Sequence, residues 1–334
     1  MKKILCLVLA MLMVFAISGC NTKDKGEKGE PADVTGHANV YVLSGPTGIG
    51  AVNLWADSEA GKSENTYTFK MVAANDEIVA AVSNGSADIA AVATNQAAAL
   101  YNRTQGGVTV LAVNTTSVLS ILTNGVELSS INDLKGKIIY TPGQGANPEY
   151  ILRYVLKENG IDPDSDVTIK FVADGSELPA VWAKEENKDA IIMAPQPVAT
   201  NILTKYTTAK KAFDMGEEWG KIATDSTLMM GCVIVRNEFL KENPGVVKTF
   251  LKEYEASINK AVSDAQTTGA LCEKYGIIPK AAIATKAIPS CGLTYVSGEN
   301  MKTGLSGYLK VMFDANAKSV GGALPGEDFY YAED

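Results

Sequence analysis

Residues 137–148, KIIYTPGQGANP, decide how the chain is read. A short apolar, β-rich run, Lys137-Ile138-Ile139-Tyr140, breaks into Thr141-Pro142-Gly143-Gln144-Gly145. The helical pattern EYILRYVLKENG follows and stops at Gly160. A strand, a glycine turn and a helix start, in that order, bring unpaired backbone N–H groups and the positive end of a helix dipole to one spot. Such a spot suits an anionic or carbonyl group. The spacing is GxGxxP, with Pro148 where the third glycine of a dinucleotide fingerprint would let helix and strand pack closely. No acidic residue ends the next strand at the fingerprint's distance, since Asp174 comes too late. The dinucleotide reading therefore fails, and the turn is read as half of a ligand site.

The other half has the same layout. Val40-Tyr41-Val42-Leu43 reads as a strand ending in Ser44-Gly45-Pro46-Thr47-Gly48, with a helical stretch beyond it. Further strands are expected at residues 67–72, 87–92 and 108–113. The pattern restarts with 118–123, 137–140, 167–172 and 190–193, and an apolar run at 228–235 precedes a mostly helical tail. Regular β–α alternation predicts an α/β protein with a parallel, doubly wound sheet. Two such halves, the second inserted into the first, predict two lobes: residues 38–118 with 230–334, and residues 119–229. The crossovers are expected near residues 113–125 and 223–235. Ligands of open α/β sheets bind beyond the carboxyl ends of the strands, so both lobes should offer their turns to a shared cleft that closes on a solute. The first lobe contributes Ser44, Gly45, Pro46, Thr47, Gly48, Asn75, Thr94, Asn95 and Thr115 as candidate ligand contacts. The second contributes Thr141, Gly143, Gln144, Gly145 and Gln196. Backbone N–H groups and hydroxyls among them could hold an anion, while Trp55 or Trp182 could offer a stacking face to a flat ring.

Composition excludes several functions. The chain has 334 residues, net charge −8 and three arginines, Arg103, Arg153 and Arg236, with no basic stripe to meet a nucleic acid. The only histidine, His37, falls in a polar segment, so no serine or cysteine nucleophile has a histidine base. No CxxC motif or cysteine–histidine cluster speaks for a metal. No catalytic residue, metal ligand or cofactor is expected. Asp76-Glu77, at a strand end, reads as a helix cap rather than a catalytic pair. Gly45 to Gly50 lacks the Gly-Lys-Ser/Thr of a phosphate loop.

The N-terminus carries a targeting signal. Met1-Lys2-Lys3 precedes an apolar run at residues 4–17, too short to span a membrane comfortably, and then Ser18-Gly19-Cys20. Ile17-Ser18-Gly19-Cys20 resembles the bacterial lipobox, which implies cleavage of residues 1–19 and a diacylglyceryl group on Cys20. Two acyl chains anchor stably. Residues 20–37 read as a flexible tether, and the globule is expected on the extracytoplasmic face of the cell membrane. Of the five cysteines, Cys232, Cys272 and Cys291 then remain in the globule. An odd number permits one disulfide, Cys272–Cys291 being the nearest pair, plus one free thiol.

Longer stretches resemble a known family. LSSINDLKGKIIYTPGQGANPEYILRYVLKENGIDPDSDVTIKFV (residues 128–172) resembles the second-lobe signature of substrate-binding proteins of nitrate/sulfonate/taurine-type ABC importers. NGSADIAAVATNQAA (84–98), MAPQPVATNILTK (193–205) and MGCVIVRNEFLKENPGVVKTFLKEYEASI (230–258) match further segments in the same order. The likeness covers residues 39–261 and extends to relatives that bind thiamine-precursor pyrimidines. It implies a two-lobe, type II periplasmic-binding-protein-like fold with a two-crossover hinge, acting as a monomer. Its partners would be a membrane permease and that permease's cytoplasmic ATPase, and its cargo a small organic anion or heteroaromatic, sulfonate-like or pyrimidine-like. One departure falls in the cleft, where the family's Glu-Pro is Gln196-Pro197. Two alternatives stay open: a secreted pyrimidine-processing enzyme on the same fold, and a surface sensor lipoprotein without a transporter. The pyrimidine enzymes' cysteine-rich motif and consumed histidine are missing from this sequence.

Overall fold

The computed structural model describes residues 35–184, 189–223 and 226–332. The expected signal peptide, Cys20 and most of the expected tether lie outside the described residues.

The chain first runs β1 (His37–Leu43), α1 (Pro46–Ile49), α2 (Val52–Glu59), β2 (Thr66–Val72), α3 (Asn75–Ser83), β3 (Ile89–Ala93), α4 (Thr94–Arg103) and β4 (Val108–Thr115). It continues through β5 (Leu119–Asn124), β6 (Ile138–Thr141), α5 (Asn147–Glu158), β7 (Thr168–Phe171), α6 (Leu178–Trp182), β8 (Ile191–Pro195), α7 (Val198–Lys205), β9 (Ala209–Asp214) and α8 (Met215–Ile222). The last part is β10 (Gly231–Arg236), α9 (Asn237–Glu242), α10 (Pro244–Ser263), α11 (Ala265–Lys274), α12 (Ala281–Ala287), β11 (Leu293–Val296) and α13 (Gly298–Ala315).

These strands form two sheets, in the orders β11-β4-β10-β3-β1-β2 and β7-β6-β8-β5-β9. The first takes the chain's first four strands and its last two; the second takes the five between. β1 lies parallel to β2 and β3, and β6 parallel to β7 and β8, as β–α alternation requires. The expectation of wholly parallel sheets is corrected: β10 runs antiparallel to β3 and β4, β11 antiparallel to β4, and β5 antiparallel to β8 and β9. β5 and β10 are the strands that enter a sheet directly after crossing from the other one. Neither is fed by a helix returning across its own sheet, so the rule that makes βαβ neighbours parallel does not reach them.

Strand burial follows position. Every residue of β4, VTVLAVNT, is buried, as a strand covered on both faces demands. β9, AKKAFD, buries only Phe213 and lies at a sheet edge, where two lysines are tolerated. His37 opens β1 instead of ending a tether: it pairs in register with Thr66, and its ring lies 3.2 Å and 3.3 Å from the Thr66 and Thr68 hydroxyls.

The C-terminal helix is not confined to the first sheet's surroundings. On α13, Tyr308 packs against Trp219 of α8 with ring centroids 5.7 Å apart, and Trp219 in turn meets Tyr154 of α5 at 4.6 Å. Beyond it, Asn316 Nδ2 donates to the Tyr150 hydroxyl at 2.8 Å, and the Ser319 carbonyl accepts from Asn95 Nδ2 on α4 at 3.2 Å. Met301, Leu305, Leu309 and Met312 share one buried cluster with Ile121 and Ile139 of the second sheet and with Val110 and Val113 of the first.

Candidate functional site

Of the helices that start just beyond the carboxyl ends of strands, four come together: α1 after β1, α3 after β2, α4 after β3 and α5 after β6. Their first turns surround a cavity of about 250 Å³. Pro46, Thr47, Asn75, Asn95 and Thr115, all candidates from the sequence, line it from the first sheet's side, together with Leu43, Ala93 and Gln96. Ala146, Asn147 and Pro148 face them from the start of α5, and Val118 and Met230, at the two crossings between sheets, complete the wall. Larger crevices exist, one of about 880 Å³ between α5 and α13, but its walls are helix flanks rather than strand ends. The smaller cavity is where the topology directs polar backbone at a ligand.

The lining contacts are braced from behind. Asn114 Nδ2 donates to the Thr47 carbonyl at 3.1 Å and to the Tyr254 hydroxyl at 2.8 Å, and its Oδ1 accepts from Thr115 Oγ1 at 2.9 Å. Asn114, at 1% exposure, therefore fixes both Thr47 and Thr115. Asn75 Oδ1 accepts from the Ala93 amide at 3.4 Å, joining the starts of α3 and α4.

Other candidates are structural and do not line the cavity. The Ser44 amide donates to the Val72 carbonyl at 2.9 Å, the Gly45 amide to the Ile277 carbonyl at 2.8 Å, and the Gly48 amide to the Gly45 carbonyl at 3.0 Å. Thr94 is fully buried and sends its hydroxyl to the Met229 carbonyl at 2.6 Å, tying α4 to the returning crossover. Thr141 is equally buried, its hydroxyl donating to the Pro142 carbonyl at 3.1 Å. Gln196 Oε1 accepts from the Thr200 hydroxyl at 2.7 Å and from the Thr200 amide at 3.3 Å, so this side chain secures the start of α7.

The glycine turn at 143–145 departs most from expectation. The Gly145 amide donates to Glu149 Oε2 at 2.7 Å, so the helix's own carboxylate occupies the place foreseen for an anion. Gly143, at φ 81°, carries the Pro148 ring, whose Cγ lies 2.8 Å from where a β-carbon would sit. Gln144 is exposed and outside the cavity wall. The same self-capping occurs on α3, where Glu77 Oε1 accepts from the Ala73 and Ala74 amides, each at 3.2 Å. What α5 presents to the cavity is Asn147, a residue absent from the candidates expected from the sequence. It is 6% exposed, and its Oδ1 is buried without a hydrogen-bond partner. Its position as the first helical residue after a strand-end turn was the available signal.

Neither tryptophan is a stacking face. Trp55 stacks on Phe69 at 5.2 Å and on Tyr275 at 4.2 Å, with interplanar angles of 14° and 13°. Trp182 is 3% exposed and packs beside Tyr206 in a separate apolar cluster. Both are explained by packing, and no aromatic ring stands among the described residues that line the cavity.

Cys232, Cys272 and Cys291 are buried free thiols, so the permitted Cys272–Cys291 disulfide is not formed here. Burial pushes the Cys272 thiol up to about 12 and raises the Cys232 and Cys291 thiols as well, the opposite of an activated nucleophile. Among the described residues no group of three or more His, Cys, Asp or Glu could hold a metal ion. No described helix is long and apolar enough to cross a membrane.

Two mixed sheets joined by crossovers, with a cavity at facing helix starts, define a periplasmic-binding-protein-like fold. The chain belongs to the NMT1/THI5-like family, whose profile matches residues 68–268. Among solved structures, it is similar to an ABC transporter protein from Parabacteroides distasonis (TM-score 0.75, 21% identity, 89% of this chain and 99% of that one). It is also similar to the periplasmic aliphatic sulphonate binding protein SsuA from Escherichia coli (TM-score 0.66, 12% identity, 89% and 94%). The periplasmic nitrate-binding protein NrtA from Synechocystis PCC 6803 is a third (TM-score 0.54, 12% identity, 80% and 74%). At these identities the likeness is one of fold. No curated protein matches the chain by sequence.

Proposed function

We propose that this chain is a lipid-anchored, extracytoplasmic solute-binding protein of an ABC importer. It captures a small organic solute, sulfonate-like or pyrimidine-like, between two lobes, residues 38–118 with 230–334 and residues 119–229. As a monomer it delivers that solute to a membrane permease driven by a cytoplasmic ATPase, without chemical conversion. The observation that carries this reading is the cavity itself: Pro46, Thr47, Asn75 and Asn95 face Ala146, Asn147 and Pro148 across about 250 Å³, and the two groups flank different sheets. Membership of the NMT1/THI5-like family and the fold of the sulphonate- and nitrate-binding proteins support it. The lipobox-like Ile17-Ser18-Gly19-Cys20 supports the anchor.

Binding is tested by following unfolding of the full chain in detergent through the fluorescence of Trp55, Trp182 and Trp219 against a panel of sulfonates, nitrate, pyrimidines, flavins and aromatic acids. A solute at 100 times its Kd adds ~2.7 kcal/mol of stability. Silence from the whole panel counts against the reading, and turnover of a bound solute overturns its non-enzymatic part. Cys20→Ser should release the chain from the membrane fraction. Loss of uptake in cells lacking this chain separates transport from sensing.

A further inference from the structure

Within the solute-binding reading, on which this inference rests, we infer that the solute is an uncharged molecule that donates an N–H or O–H hydrogen bond to Asn147. Three observations converge on this. First, the side chains lining the cavity are hydroxyls, amides and aliphatic groups; no Lys, Arg, Asp or Glu stands among these described residues, so nothing in the wall balances a full charge. An ion taken from water into such a wall without a partner is strongly disfavoured.

Second, amides that flank the helix starts around the cavity are already engaged. Gly45 and Ser44 donate to carbonyls, Gly145 donates to Glu149, and Ala73 and Ala74 donate to Glu77. The two carboxylates also offset the positive ends of the α5 and α3 dipoles, which removes much of the attraction those helix starts would exert on a negative group.

Third, Asn147 Oδ1 is an acceptor with no donor. It belongs to a residue that is 94% buried and lines the cavity from the start of α5. A buried amide oxygen is rarely left unpaired, and an anion offers it only repulsion. A solute N–H or O–H supplies what it lacks.

The test uses matched pairs that share a skeleton and differ in charge: acetamide and acetate, methanesulfonamide and methanesulfonate, benzamide and benzoate. Each is titrated into the full chain in detergent at pH 7 and constant ionic strength, alongside the wider panel, with unfolding as the readout. The expected result is a saturable rise in the unfolding midpoint from neutral compounds and none from their anionic counterparts. Asn147→Leu should weaken the best neutral binder at least tenfold. Asn147→Ser keeps an acceptor oxygen without adding a charge and should retain more of that binding than Asn147→Leu. Saturable stabilisation by an anion, or equal loss of neutral binding in both variants, overturns the inference while leaving solute binding intact. Silence from every compound, charged or neutral, removes the solute-binding reading and the inference with it.

Discussion

Glu149 accepts the Gly145 amide on one carboxylate oxygen and the Arg153 Nε on the other, both at 2.7 Å. A single side chain thereby closes the turn in front of α5 and anchors the helix's second turn, while Arg153 reaches on to Asp164. An orphan donor at a helix start is worth roughly 1 kcal/mol when capped. Glu149→Ala should lower stability by about that amount in urea unfolding. Glu149→Gln, which keeps an acceptor, should recover part of it. Equal losses in the two variants would mean that the charge, and not the cap, matters here.

The two glycines of the turn should respond differently to alanine. Gly145, at φ 71°, has nothing within 4 Å of a built β-carbon, so Gly145→Ala meets only backbone strain, about 1 kcal/mol. Gly143→Ala adds a collision with Pro148 at 2.8 Å and should cost more, on the order of 3 kcal/mol. Measured unfolding free energies in the opposite order would refute the packing of Pro148 on Gly143.

Tyr308 is a stabilising opportunity. Its ring is fully buried against Trp219, while its hydroxyl has no hydrogen-bond partner and burial raises its pKa. Leaving a buried hydroxyl unpaired costs ~1–3 kcal/mol, so Tyr308→Phe should keep the ring contact and raise stability by about 1 kcal/mol. A loss of stability would reveal a partner for the hydroxyl.

Alkaline pH should unfold the protein ahead of any acid effect on these groups. Burial raises the thiols of Cys232, Cys272 and Cys291 and the phenols of Tyr67, Tyr254 and Tyr308, and pushes Tyr330 up to about 12. Unfolded thiols and phenols titrate near ~8.5 and ~10. The unfolded chain therefore loses protons that the folded chain keeps. The contribution is fully present below about pH 8 and is lost as pH rises through the folded values. Urea midpoints measured from pH 7 to 10.5 should fall steadily above pH 8.5. Alkylation mapped by peptide mass should leave the three thiols unmodified until urea is added.

Much of the fold was legible where apolar β-branched runs met glycine turns. β1, β2, β4, β6 and β8 fall within a few residues of their expected places because each buries most of its side chains, or alternates them, on a helix-covered sheet. β9 and β11 escaped because edge strands need few apolar residues: β9 carries Lys210 and Lys211, and all four residues of β11 are half-buried. Strand direction at β5 and β10 was also hidden, since it depends on which sheet the chain has just left, not on any local pattern. At the site, topology located the first-sheet wall through Pro46, Thr47, Asn75, Asn95 and Thr115. The sequence could not say that Glu149 and Glu77 would turn back onto nearby amides, or that Trp55 would be enclosed by Phe69 and Tyr275. Those outcomes depend on rotamers and on residues distant along the chain.

The placement of α13 reaches into how the molecule is made. Its apolar stripe completes a cluster to which both sheets contribute, and synthesis delivers it after residue 297, when nearly everything else already exists. Until then Trp219, Ile121 and Val110 lack the side chains of α13 that complete their cluster. Domains that finish early in synthesis can fold while the rest is still being added; here one cluster, shared by both sheets, waits for the last helix. The packing that both sheets share is therefore completed last, when α13 docks.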